Sequence, residues 1–240
     1  NKAYELISSK QSDQKGGAET NNVVLLLKGQ SILFKRFKDE LAPYKYAGYP
    51  MLVSTIQAET DDENLFSSSV DVLAAGCELA HLTVACSALN AEELRRDNGI
   101  DILAKALSRC ISVIGHKTSD EEVSVQVCVH IARCLTASCQ FEGCRERMQE
   151  IPQIMKDICR CLWFEGAPML TKAAMECVGA MSQDQYLQNH LLTSGVLWHL
   201  MIRLFNFDFT LDESGVEADE STNKQLFYNN HAKMAVICLA

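Results

Sequence analysis

Four residues, His130, Cys134, Cys139 and Cys144, are of the types that hold zinc, with three, four and four residues between them. Thiolates and an imidazole together suit that ion. Structural zinc sites, however, draw on paired Cys-x2-Cys spacing, which is absent here. Positions 130, 134 and 139 also share one helical stretch at core-like spacing. Core packing is therefore the expectation, with no metal. Cys159 and Cys161 stand two apart and would point to different sides of a helix, which suits neither a ligand pair nor a redox dithiol. The chain has eleven cysteines, an odd number at irregular spacing, and Cys77, Cys86, Cys128, Cys134, Cys177 and Cys238 fall inside apolar patterns. A secreted disulfide framework is small, loop-rich and usually even-numbered. Reduced thiols acting as small core residues in the cytosol are expected instead. His81 and His199 are single residues on apolar stretches, read as ordinary satisfied side chains.

No phosphate loop, nucleophile elbow, His-Glu-x-x-His or dinucleotide fingerprint occurs. No catalytic residue and no cofactor is therefore expected, and an enzyme is the least favoured class. The pattern that invites a function is basic: Lys105 with Arg109, Lys156 with Arg160, then Arg203. If these fall on equivalent helices of a stacked array, they line up on one surface. Such a ladder suits an acidic peptide, with Trp198 or Met201 gripping an apolar side chain. The competing reading is a solvated face with cations near helix C-termini, where the helix dipole favours them.

Composition bounds these possibilities. Of 240 residues, 48% are hydrophobic and 22% charged, ordinary for a folded chain. Only four prolines and twelve glycines interrupt it, which favours long helices. A net charge of −9 argues against nucleic acid, whose phosphates need clustered Lys and Arg. No apolar run is long enough to cross a bilayer, so no direct membrane insertion is expected. The first residue is Asn1 and the last lies in the apolar run "KMAVICLA", so both ends read as cut from something longer.

The elements that would position the ladder are helices. Residues 1–21, polar with a Gly-Gly pair, read as a flexible lead-in. A helix is predicted from Asn22 to Leu41, stopped by Pro43, which lacks an amide donor. From there a unit recurs around Gly48, Gly99, Ile151 and Gly195, at intervals of roughly 44 to 52 residues, near those of armadillo and HEAT repeats. After each anchor comes an apolar helix: Met51, Leu52 and Ile56; then Ile102, Leu103 and Leu107; then Ile154, Met155 and Ile158. The fourth, with Leu197, Leu200 and Leu204, is slipped by about one residue. Between anchors lie helices rich in Ala, Gly, Cys and Ser, such as "SVDVLAAGCELAHLTVACSA", which belong sandwiched between neighbours. At Gly99 a short charged helix must turn into an apolar one, which suits a residue free to take positive φ. At Ile151, Pro152 takes that role as a first-turn proline. Two acidic loops are predicted, Glu59 to Asn64 and residues 206–225. The fold class expected over 22–240 is an all-α, armadillo/HEAT-like α-solenoid, monomeric, each unit covering its neighbour's apolar face.

Several stretches go beyond class. "KDELAPYKYAGYPML", "CSALNAEELRRDNGIDIL", "VSVQVC", "QFEGCRERMQEIPQIMKDICRCL" and "LFNFDFTLDESG" resemble, in order, the large endosomal J-domain co-chaperone of receptor-mediated endocytosis. The resemblance runs over nearly all of Asn22 to Ala240 and is to the helical-repeat region after the J domain. It implies a cytosolic protein, peripheral on early endosomes. It also implies work with a retromer-associated sorting nexin and the tail of the WASH complex, and recruitment of the heat-shock cognate chaperone through the J domain. No histidine here is followed by proline, so the J domain's His-Pro-Asp loop is absent, as is the family's Ile-Trp-Asn tripeptide. The lipid-binding amino-terminal part is not visible either. This stretch is thus expected to be a non-enzymatic scaffold that directs disassembly and cargo recycling. The alternative is an intramolecular module that folds back on the J domain, its acidic loop at Asp208 to Glu220 meeting a basic helix.

Overall fold

In a computed structural model the described residues are 16–61, 70–114, 121–164, 166–207 and 220–239, and among them there is no strand. They form thirteen helices. A long α1 (Gly16–Arg36) and a single turn α2 (Lys38–Leu41) lead into α3 (Tyr49–Asp61) and α4 (Val70–Cys86). Two triplets follow: α5 (Ala88–Arg96), α6 (Gly99–Ile111) and α7 (Glu121–Ser138), then α8 (Glu142–Gln149), α9 (Gln153–Cys161) and α10 (Pro168–Met181). The third triplet is α11 (Gln185–Thr193), α12 (Val196–Phe205) and α13 (Glu220–Leu239).

Each triplet is short, medium, long, and like packs on like from one unit to the next. The long helices form a row, α1 on α4, α4 on α7, α7 on α10 and α10 on α13. The medium helices repeat this, α3 on α6 and α6 on α9, and so do the short ones, α5 on α8 and α8 on α11. This is the translational stacking of an all-α helical solenoid. The small-residue helices sit where expected. Of α4, Val72, Leu73, Ala75, Gly76, Cys77, Leu79 and Ala80 are buried, on several sides at once. At Gly76 an added methyl would lie 3.0 Å from the Ile56 side chain, so the absent Cβ lets α3 and α4 close up. Burying each Leu or Ile of such a row contributes about 1.5–3 kcal/mol.

The junctions are held by polar groups whose partners are inside the protein. The hydroxyls of Tyr49 and Thr83 share a hydrogen bond of 2.5 Å. Asn90, fully buried, donates to the Thr83 carbonyl at 3.0 Å and accepts from the Tyr46 amide at 2.8 Å. This node ties α3, α4 and α5 together, and burial pushes the Tyr49 phenol well above its usual range. Between units, Asp184 caps α11 by accepting from the amides of Tyr186 and Leu187 at 3.0 and 3.1 Å. It also receives Arg145 at 3.2 Å and Gln149 at 3.2 Å from α8. Buried Asp157 on α9 accepts from Ser108 of α6 and from Gln153 at 2.9 Å.

Four local expectations are revised. The first helix starts at Gly16 rather than Asn22, while residues 1–15 of the expected lead-in lie outside the described residues. It breaks at Phe37, before Pro43, where the backbone leaves helical geometry (φ −122°, ψ 42°). Glu59 to Asp61 are the last turn of α3, so the smaller acidic segment begins in a helix. The last helix starts at Glu220, inside the expected 206–225 loop, of which residues 208–219 lie outside the described residues.

Gly99 is the fifth revision. The left-handed residue at that corner is Asn98 (φ 59°), which the asparagine side chain tolerates. Gly99 opens α6 and is buried. A Cβ there would meet the Leu94 side chain and lie 2.8 Å from the Leu94 carbonyl oxygen. The glycine is required by close approach of α5 to α6. At the corner of the last unit a glycine does take the left-handed turn, since Gly195 has φ 84° with open space around it.

Candidate functional site

Ten of the eleven cysteines are buried, and Cys238 is half-buried. Among the described residues, no group of three or more His, Cys, Asp or Glu comes together as a metal site would need. The four residues weighed as zinc ligands are engaged in packing. Cys144 donates to the Ala91 carbonyl at 3.5 Å and Cys139 lies 3.9 Å from the Met148 sulfur. Burial pushes the thiols of Cys134 and Cys139 up to about 12, and that of Cys144 to about 11. Thiols held so far from ionisation are poor nucleophiles. His199 stacks edge-on against Trp163 at 5.0 Å and accepts from its indole N–H at 3.2 Å.

Of the basic ladder, Lys105, Arg109, Lys156 and Arg160 lie on the stacked medium helices α6 and α9 and Arg203 lies on α12, and the members divide. Arg109 on α6 donates to the Thr60 carbonyl at the end of α3. Arg203 on α12 is buried, 5% exposed, and donates to the Leu162 carbonyl at the end of α9. Each arginine thus reaches back to an open helix C-terminus of the preceding unit, where carbonyls lack partners and a cation is favoured. These two fasten units together. Arg203 was expected on the surface. Arg203 follows Gly195 at the same offset at which buried Leu107 follows Gly99, a core position of the unit.

Lys105, Lys156, Arg160 and Trp198 remain outside. Lys105 pairs with Asp61 at 2.5 Å and holds that carboxyl below its usual range, while still largely exposed. Arg160 reaches back to Asp157 at 3.2 Å. Lys156 is exposed and has no ion pair with any described residue. On α12 the open side changes character. Leu197, Trp198, Met201, Ile202 and Phe205 are all exposed, Trp198 by 76% and Phe205 by 78%. They cover an arc of about 140° opposite buried Val196, Leu200 and Arg203. The exposed bases thus lie on α6 and α9, and the exposed apolar face on α12.

Sequence reasoning missed a second concavity. Between α7 and the start of α10 lies an open groove of about 890 Å³. One wall is a stripe along α7: Glu122, Val125, Gln126, Val129, His130 and Arg133. The other is Trp163, Phe164, Ala167, Pro168 and Met169. The α7 stripe is legible as one helical face, at i, i+3, i+4, i+7, i+8 and i+11. The facing wall comes from a connection, whose position no periodicity announces. His130 sits 6.4 Å from His81, and burial holds both imidazoles below their usual range, His81 at about 4.

No protein-family model matches this chain, and no solved structure matches it. Among curated proteins, it is 37% identical over 237 residues to the DnaJ homolog subfamily C GRV2 of Arabidopsis thaliana. The match takes in 98% of this chain and 9% of that protein, so the chain spans a small part of its relative's length. Along nearly its whole length, this helical array is therefore the counterpart of one segment of that DnaJ homolog, the family its own sequence resembles.

Proposed function

We propose that this chain is a non-enzymatic, protein-binding scaffold region of an endosomal J-domain co-chaperone. What supports the reading is the exposed side chains of α6, α9 and α12, which we read as one ridge. Lys105, Lys156 and Arg160 are followed there by the apolar face around Trp198. Large exposed apolar patches rimmed by charge mark interaction sites. This ridge suits a flexible tail that carries carboxylates beside an aromatic or aliphatic anchor. Charge complementarity steers the encounter, and a buried anchor supplies most of the affinity. The partners that the family resemblance favours are a retromer-associated sorting nexin and the tail of the WASH complex. The work done is positioning. Holding a tail near a J domain elsewhere in the same polypeptide raises the local concentration of the assembly to be dismantled without new chemistry. On this reading the molecule acts in the cytoplasm, at the surface of early endosomes.

The test is calorimetric titration of the purified chain with the sorting nexin and with the WASH tail. Lys156→Glu with Arg160→Glu is expected to weaken capture about tenfold, and Trp198→Ala by at least as much. Far-UV circular dichroism should be unchanged, because all three side chains are exposed. Unaltered affinity in both variants would remove the ridge from the account.

A further inference from the structure

We propose that the groove between α7 and α10 is a second peptide site, distinct from the ridge. It takes a segment with a basic residue at one end, an apolar side chain in the middle and an acidic residue at the other end. Three observations carry this. First, the groove's charge is polarised along its length. Glu122 stands in the first turn of α7, and Arg133 lies toward the other end. Arg133 makes no ion pair with a described residue. Glu78, whose charge also reaches His130, is paired with Lys35 at 2.5 Å.

Second, the middle of the groove is apolar on both walls, with Val125 and Val129 facing Phe164, Trp163 and Met169. Trp163 and Met169 are each more than half exposed. Third, the groove is open and holds about 890 Å³, room for a peptide segment.

The distance along α7 from Glu122 to Arg133 is about 16 Å. An extended ligand covers this in about five residues and a helical one in about eleven. The row matters as well. The groove runs along the long helix α7, whereas the exposed bases lie on α6 and α9, and the two sites adjoin where Trp163 meets His199 of α12. One array can thus hold two chemically different segments at once.

The chain's two tryptophans make the proposal testable, because Trp163 lines the groove and Trp198 stands on the ridge. With Trp198→Phe, all tryptophan emission comes from Trp163. The probes are two synthetic peptides, Lys at one end, Leu and Met between, and Glu at the other. In one the charges stand five residues apart, and in the other, a helix-stabilised peptide, eleven apart. Either is expected to shift Trp163 emission saturably. In the Trp163→Phe variant, Trp198 emission should stay still. Arg133→Glu should weaken binding about tenfold, with circular dichroism unchanged. A probe carrying Lys in place of its Glu should restore that binding. Lys156→Glu with Arg160→Glu should leave it intact, which keeps the groove's fate separate from the ridge's. No shift with either peptide up to millimolar concentration, or binding indifferent to Arg133→Glu, overturns the proposal.

Discussion

At the scale of single residues, the two glycine corners do different jobs, and substitution separates them. Gly195→Ala meets no atom but must hold φ 84°, a strain of about 1–2 kcal/mol. Gly99→Ala keeps ordinary backbone but drives a methyl into Leu94, and overpacking of that kind costs about 1–3 kcal/mol. Urea denaturation should show both losses. Only the Gly99 variant should be relieved by trimming its neighbour with Leu94→Val, and only in part, because the contact with the Leu94 carbonyl oxygen stays. Sequence reading marked both glycines as corners, yet it could not see that Asn98 takes the left-handed turn. That choice depends on how closely α5 approaches α6. His81 bears on pH. Burial first, then His130 and Arg133, lowers its pKa to about 4, against Glu78, which raises it. The unfolded chain, with an ordinary imidazole, therefore binds protons that the folded one refuses. Stability should be full above pH 6.5 and fall as pH drops toward 4, by roughly 2 kcal/mol after discounting solvent screening. His81→Gln should flatten that slope in thermal melts taken across the window.

At the scale of elements, the units are joined by carboxylates and arginines that reach from one helix into the next. Asp184 is the clearest, since it caps α11 and receives Arg145 and Gln149 from α8. Asp184→Ala should cost about 1–3 kcal/mol, more than an isolated cap, because Arg145 loses its anion as well. Chemical denaturation of the variant checks this. The helix order and the long-helix row were legible, because small residues and apolar spacing mark helices that must be covered on several sides. The roles of Arg109 and Arg203 were not. Arg109 stands at the position of a surface base and Arg203 at a core offset, and no spacing announces the carbonyl ends that both reach. The groove was half legible for a similar reason, since α7 announces its face and the Trp163 to Met169 segment does not.

At the scale of the molecule, three parallel rows mean that each unit leans only on its neighbours, so cohesion is a chain of local joints. The groove's α7 wall lies on the long-helix row and the exposed bases on the medium one, while Trp163 of the far wall meets His199 of α12, so the two sites adjoin. The distribution of sulfur follows the same rows, with shielded thiols in α4, α6, α7, α8, α9 and α10. While the layers stay closed, an oxidant meets little reactive sulfur. Should one joint part, the thiols it uncovers ionise more readily and can cross-link in pairings the native packing never allows. Separation of the layers would then be hard to reverse, so the protein's redox safety rests on the tightness of its own stacking.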